Sequence, residues 1–124
     1  MKRISTGSPF EKTLGFSRAI VKGDWCFVSG VTGYDYTTMT MPDSVAEQAS
    51  NCFKTIADVL AEGGFTPEDI VRVQYTFTDA ALVEPATPAM GAAMGEIRPA
   101  ATIVIAGLIR PEMLIEVEVT AFKG

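Results

Sequence analysis

The sequence predicts an α+β domain in which two helices cover one face of a mixed sheet, with about five strands in the order β-β-α-β-α-β-β. Three observations predict this fold class: a hairpin near the start of the chain, two stretches with helical periodicity, and strand-like alternation in the segments that follow the helices. A chain of 124 residues has the size of one domain. Residues 1–124 are therefore taken as a single domain.

The first two predicted strands form a hairpin. Residues 17–21 and 25–29 read as extended segments, and residues 22–24, Lys-Gly-Asp, separate them as a glycine-containing turn. The segment that follows, residues 30–42, is rich in Thr, Tyr and Met and is predicted to be a loop.

The first predicted helix has clear start and stop signals. Asp43 and Ser44 precede it, and Glu47 stands three residues after Ser44, which is the spacing of a capping box. Gly63 and Gly64 are expected to end it, because glycine accepts the left-handed conformation that closes a helix. The apolar residues recur at helical period and define a buried face: Val45, Ala49, Cys52, Phe53, Ile56, Val59 and Leu60.

The second half of the chain predicts three strands and a weaker helix. Residues 71–78 alternate as a half-buried strand, with Val71, Val73, Tyr75 and Phe77 on one face. Residues 84–96 form a helix of low intrinsic stability, because they contain two prolines and two glycines. Residues 100–106 are apolar on both faces and are predicted to be a central strand, whereas residues 114–122 alternate as a one-sided strand.

One apolar row of the predicted central strand has no helix to cover it. Ile103 and Ile105 project opposite to Thr102 and Val104, so one of these rows must lie on the helix-free side of the sheet. Only another chain can cover that row. The sequence therefore predicts self-association.

Composition excludes several classes of function. The formal charge of -5 gives no counter-ion-release affinity for a phosphate backbone, so nucleic acid is not an expected partner. The chain contains no histidine and two cysteines, Cys26 and Cys52, so neither a metal site nor a disulfide framework is expected, and both thiols are predicted to be core residues. No segment suggests a membrane span or an apolar export signal, and the expected location is the cytoplasm.

Several short motifs in order resemble one family. Gly15-Phe16-Ser17 resembles a Gly-Pro-Tyr-Ser stretch without its proline, Val28-Ser29-Gly30 resembles a Thr-Ser-Gly strand end, and residues 42–79, Pro99-Ala100 and residues 115–118 match further segments at the right spacing. On these motifs the chain is identified as a divergent member of the RidA/YjgF family, also labelled endoribonuclease L-PSP, over about residues 2–122. The resemblance implies a chorismate-mutase-like homotrimer with a small-molecule cleft at each subunit interface. It also implies hydrolysis of reactive imines or enamines without a cofactor.

The resemblance assigns the catalytic role to Glu116, which stands in the place of the family's cleft glutamate. Glu116 lies opposite Ile115 and Val117 on its strand and is therefore expected to point away from the helices. Its alternative role is an ion pair with a neighbouring subunit.

A substitution sets this chain apart from the family. Ala101 stands where the family has the arginine that binds the substrate carboxylate, so activity on amino-acid-derived imines is expected to be reduced or altered. Arg18 and Arg98 are the candidates to replace that arginine, and both are otherwise read as ordinary surface residues.

The remaining ligand-binding candidates are Phe16, Ser29, Gly30 and Ile103. Phe16 replaces a cleft tyrosine and would keep the ring without its hydroxyl. Ser29 and Gly30 would donate backbone N–H groups to a ligand, or they form an ordinary turn. Ile103 would line the cleft wall, or it packs in a subunit interface.

Three functions remain open at this point. The first is a hydrolytic deaminase of a small imine, enamine or related unsaturated metabolite, in which Glu116 positions water. The second is a metabolite-binding trimer without catalysis. The third, an endoribonuclease or translation inhibitor, is disfavoured by the acidic charge and the absence of histidine.

Overall fold

A computed structural model describes all residues 1–124 and contains one six-stranded sheet in the order β1-β2-β3-β6-β4-β5. The strands are Lys2–Ile4 (β1), Ala19–Lys22 (β2), Trp25–Thr32 (β3), Ile70–Phe77 (β4), Ala100–Ile105 (β5) and Ile115–Phe122 (β6). The helices are Pro9–Leu14 (α1), Val45–Glu62 (α2) and Val83–Met94 (α3), and short 3-10 turns occupy Pro67–Asp69 and Ala80–Leu82. The sheet is mixed, because β4 and β5 are parallel and the other pairs are antiparallel. The predicted α+β class is confirmed.

The long helix α2 begins and ends as its sequence signals predict. The hydroxyl of Ser44 accepts a hydrogen bond from the Glu47 amide at 3.1 Å. Gly64, just beyond the helix, has φ of 84°, which is the left-handed region. All seven residues of the predicted apolar stripe are buried, and α2 packs on β3 and β6.

The hairpin β2–β3 is also confirmed, and Gly23 occupies its turn with φ of 58°. Strand β3 runs three residues further than predicted, to Thr32. Its pairing with β6 shifts register between Val28 and Val31, so Ser29 and Gly30 form a bulge in the sheet. Bulges of this kind redirect side chains and are frequent beside functional sites.

Two elements at the start of the chain were not predicted. Strand β1 pairs only three residues with β2. Ser8 caps the start of helix α1: its hydroxyl accepts from the Phe10 amide at 3.3 Å, and Pro9 is the first helical residue. Neither element is long enough to show a periodic apolar pattern.

The predicted place of one strand was wrong, and the predicted buried face of another is interrupted at one residue. Strand β5 lies at the edge of the sheet, not at its centre, and all six of its residues are exposed. The central strand is β6, which pairs with both β3 and β4. On β4 the predicted face is broken at Val71, which is exposed because the pairing shifts between Ile70 and Arg72.

Helices cover only one of the two faces of the sheet. The core lies between the sheet and the pair α2 and α3, and it contains Val73, Tyr75, Val117 and Val119. Ile103 pairs with Tyr75 and shares its helix-side face, whereas Val104 pairs with Thr76 and lies on the helix-free face. Val104 is 37% exposed and Ile103 is 45% exposed, so apolar side chains are uncovered on both faces of this edge.

Candidate functional site

Four of the predicted site residues meet in one pocket of about 420 Å³: Phe16, Ser29, Gly30 and Glu116. The pocket lies where the bulge of β3 faces the start of β6, and α1 with the loop after β5 closes its sides. The remaining wall is formed by Phe10, Leu14, Arg18, Thr32, Tyr36, Gly107, Leu108, Ile109 and Met113.

The carboxylate of Glu116 packs directly on the backbone of Gly30. A Cβ atom at residue 30 would lie 2.5 Å from Cδ of Glu116 and 2.8 Å from both carboxylate oxygens. No side chain other than hydrogen fits there without moving the carboxylate. The carboxylate therefore occupies the space that a side chain at residue 30 would fill, and this close approach requires glycine there.

Glu116 is half-buried, and its neighbours on β6 lie on the opposite face in the core. It therefore points away from the helices, as predicted. Burial raises the pKa of its carboxyl above the ordinary value of 4.5, the nearby charge of Glu118 raises it further, and Arg18 opposes both effects. A carboxylate with a raised pKa is a better proton acceptor than one in water.

Ser29 does not offer its amide to a ligand, and that prediction is wrong. Its N–H donates to the carbonyl of Arg18 at 2.9 Å, and its hydroxyl donates to the carbonyl of Ser17 at 2.7 Å. Both bonds tie the bulge to the residues just before β2. Ser29 shapes the pocket by fixing its backbone, while donation from the Gly30 amide stays a prediction.

The interpretation of Arg18 as a surface residue is also wrong. Arg18 is 1% exposed and is among the largest fully buried side chains of the chain. Its Nη1 donates to the carbonyl oxygens of Gly30 at 2.7 Å and Ser29 at 3.4 Å. The rings of Phe16 and Tyr36 lie on its guanidinium, with centroids 5.4 and 5.1 Å from Cζ.

The other three predicted site residues lie elsewhere in the chain. Arg98, Ala101 and Ile103 line a second cleft of about 490 Å³ between α3 and the edge strand β5. Arg98 is exposed, has φ of 51°, and donates its amide to the carbonyl of Met94 at 2.8 Å, so it closes the turn that follows α3. Within one chain, the predicted set is therefore divided between two clefts.

Two tyrosines of the loop after β3 have different roles. Tyr36 lines the pocket, and its hydroxyl oxygen accepts a hydrogen bond from the Thr32 amide at 3.2 Å. Tyr34 is buried and donates to the Glu112 carboxylate at 2.6 Å. Burial, together with this bond, raises the pKa of Tyr34 to about 12, so its phenol remains a proton donor. This bond ties the loop after β3 to the segment before β6.

The cysteines lie in the core and not in the pocket. Both are free and buried, and burial raises the pKa of each thiol. The thiol of Cys52 donates to the Val31 carbonyl at 3.2 Å. Nowhere do three or more His, Cys, Asp or Glu side chains converge as ligands for a metal ion.

Sequence reasoning missed most of the pocket's apolar wall and the burial of Arg18. Leu108, Ile109 and Met113 belong to an irregular connection between β5 and β6 that carries no periodic pattern. Arg18 stands directly before the buried Ala19, and its burial depends in part on the ring of Tyr36, which is distant in sequence. No local signal predicts either feature.

The fold and the pocket define a small α+β protein with a single candidate carboxylate base. The sequence profile described as Endoribonuclease L-PSP matches residues 7–123, and the chain belongs to this family, which is the RidA/YjgF family. An uncharacterized protein of Streptomyces coelicolor is 30% identical to it, over 100% of this chain and 93% of that protein.

Solved structures of similar proteins have the same fold as this chain. Rv2704 from Mycobacterium tuberculosis, described as a member of the YjgF/YER057c/UK114 family, has a TM-score of 0.89 at 32% identity and covers 98% of both chains. The YjgF gene product of E. coli matches all of both chains with a TM-score of 0.87 at 21% identity, which is a likeness of fold. None of the helices has the length and apolar character needed to cross a bilayer.

Proposed function

We propose that the chain binds small molecules as a homotrimer and hydrolyses a reactive imine, enamine or related unsaturated metabolite. The observation that carries this proposal is the carboxylate of Glu116, which is held against Gly30 in a partly apolar pocket and has a raised pKa. Membership of the RidA/YjgF family supports the reaction class. The proposed setting is a soluble cytoplasmic protein that needs no cofactor.

The reaction requires one water molecule and one proton acceptor. Glu116 takes a proton from the water as the water oxygen bonds to the imine carbon, and Glu116 passes this proton to the imine nitrogen. The carbon–nitrogen bond of the resulting carbinolamine then breaks as Glu116 transfers the hydroxyl proton to the nitrogen, so that ammonia leaves and a carbonyl compound remains. The Gly30 amide is proposed to donate to the charge that develops on the substrate.

The proposed trimer would join the two clefts that are separate in one chain. Strand β5 leaves Ala101 and Ile103 uncovered, and the helix-free face of the sheet leaves Val104 and Phe27 uncovered. Exposed apolar surface of this kind supports self-association. Residue 101 of one subunit would then face the pocket of Glu116 in another.

Ammonia release from 2-iminobutanoate tests the reaction. We expect Glu116→Gln to abolish turnover, whereas Glu68→Gln, an exposed control in the turn after α2, leaves it unchanged. We expect Ala101→Arg to increase turnover of this substrate, because it adds a charge-assisted partner for the carboxylate. Turnover that survives Glu116→Gln would contradict the proposal, and binding without ammonia release would favour a metabolite-binding trimer.

Sedimentation velocity tests the assembly. A trimer is the expected species at micromolar concentration. A stable monomer under these conditions would contradict the proposed interface.

A further inference from the structure

The pocket contains a buried cation that has no counter-ion within the chain. Arg18 is 1% exposed, and its guanidinium donates only to backbone carbonyl oxygens, those of Ser29 and Gly30. Its Nε is buried and has no hydrogen-bond acceptor. A buried arginine without a carboxylate partner is costly, so a protein keeps one where a ligand or partner supplies the missing charge.

Two carboxylates lie close enough to Arg18 for its charge to affect them, but neither is its counter-ion. The carboxylate of Glu11 accepts from the Thr6 amide at 3.0 Å and from the Thr6 hydroxyl at 2.8 Å. The carboxylate of Glu116 packs on Gly30. Arg18 shifts the pKa of both carboxyls through its charge, yet neither accepts a hydrogen bond from it.

Arg18 is also held rigidly. The rings of Phe16 and Tyr36 lie on its guanidinium, and the two carbonyls fix Nη1. A guanidinium that is already ordered loses little conformational entropy when it binds a carboxylate. Arg18 lines the same pocket as Glu116 and the apolar residues Leu108 and Ile109.

We propose that Arg18 binds the carboxylate of a small monocarboxylic ligand whose apolar body packs against Leu108 and Ile109. Arg18 is then the anion anchor of the pocket, and it lies in the same subunit as Glu116, just before the hairpin. It does not depend on residue 101. This proposal concerns which ligand the pocket binds. It rests on the proposed function only in that the bound carboxylate would belong to the substrate of the proposed reaction.

The test compares a carboxylic acid with its uncharged amide. Isothermal titration calorimetry with 3-phenylpropanoate and 3-phenylpropanamide uses two ligands of nearly equal shape. We expect the wild-type protein to bind the acid at least about tenfold more tightly, since the acid forms a charge-assisted pair. Addition of the acid, but not of the amide, should also shift the NMR resonance of the Nε–H of Arg18.

Three variants distinguish a loss of carboxylate binding from a failure to fold. Arg18→Gln should remove the preference for the acid, and Arg18→Lys should keep part of it, because lysine retains the charge without the planar fork. Arg3→Gln removes an exposed arginine on β1 and should leave the preference unchanged. Equal binding of acid and amide to the wild-type protein would overturn the proposal even if the Arg18 variants failed to fold, and so would a preference that survives Arg18→Gln.

The outcome for the ligand and the outcome for the reaction are distinguishable. Binding of the acid through Arg18 without any release of ammonia from imines would leave the anchor intact and contradict the deaminase. Turnover of 2-iminobutanoate with KM unchanged in Arg18→Gln would leave the deaminase intact and overturn the anchor.

Discussion

The substitution Gly30→Ala tests the steric contact between the bulge of β3 and the proposed base. Gly30 does not adopt the left-handed region, so alanine fits its backbone conformation. The added methyl carbon would lie 2.5 Å from Cδ of Glu116, whereas carbon atoms pack at roughly 3.5–4.0 Å. The carboxylate must therefore move by about 1 Å.

The effect of this movement on activity should exceed its effect on stability. Displacement of a reacting group by 1 Å costs about 100-fold in rate, which is the expected loss of kcat. The side chain of Glu116 can rotate to relieve the overlap, so the expected loss of stability is about 1 kcal/mol, at the low end for overpacking. For a chain of this size that corresponds to a decrease of about 4 °C in Tm.

Ammonia release and thermal unfolding measure the two effects separately. Gly91→Ala is the control for stability, because a methyl at residue 91 of α3 meets nothing within 4 Å. Glu68→Gln is the control for activity, because Glu68 lies outside both clefts. We expect Gly91→Ala to have an equal or higher Tm and Glu68→Gln to retain full activity. A Gly30→Ala protein with wild-type kcat would refute the argument that this contact positions Glu116.

Three further predictions follow from the geometry. The acid limb of the pH profile of kcat/KM should have its midpoint above pH 4.5, because Glu116 must be ionised to accept a proton and its pKa is raised. Glu118→Gln should move that midpoint to lower pH, because the charge of Glu118 contributes to the raised pKa. Gln48→Leu should lower the free energy of unfolding by about 3–5 kcal/mol in urea titrations, because three backbone groups lose their partner in a buried site. Cys52 should react with a thiol reagent only in the unfolded protein, since its thiol is buried and its pKa is raised; rapid labelling of the native chain would contradict its burial.

The sequence predicted those elements whose signals are local. The start of α2 at Ser44, its buried stripe and the turn at Gly23 depend on residues a few positions apart, so periodicity and capping were sufficient. The face of Glu116 was predictable for the same reason, because alternation along β6 assigns each residue to one side.

The features that were missed depend on contacts between distant parts of the chain. A strand that is apolar on both faces was predicted to be central, but β5 lies at the edge, and burial by a second chain would leave the same apolar pattern as burial within one chain. Arg18 was predicted to be exposed because arginine usually is. Its burial follows from the bulge at Ser29 and Gly30 and from the ring of Tyr36, and none of these is visible as a pattern in residues 17–21.

The edge strand β5 also makes the chain prone to aggregation before the subunits assemble. Its outer side presents unpaired backbone N–H and C=O groups beside three bulky aliphatic side chains, Ile103, Val104 and Ile105. An exposed apolar edge of this kind is a template on which another extended segment can add as a further strand. A newly made or diluted chain therefore carries a site for aggregation, and a variant that weakens association is expected to be lost as insoluble material before it accumulates as a free monomer.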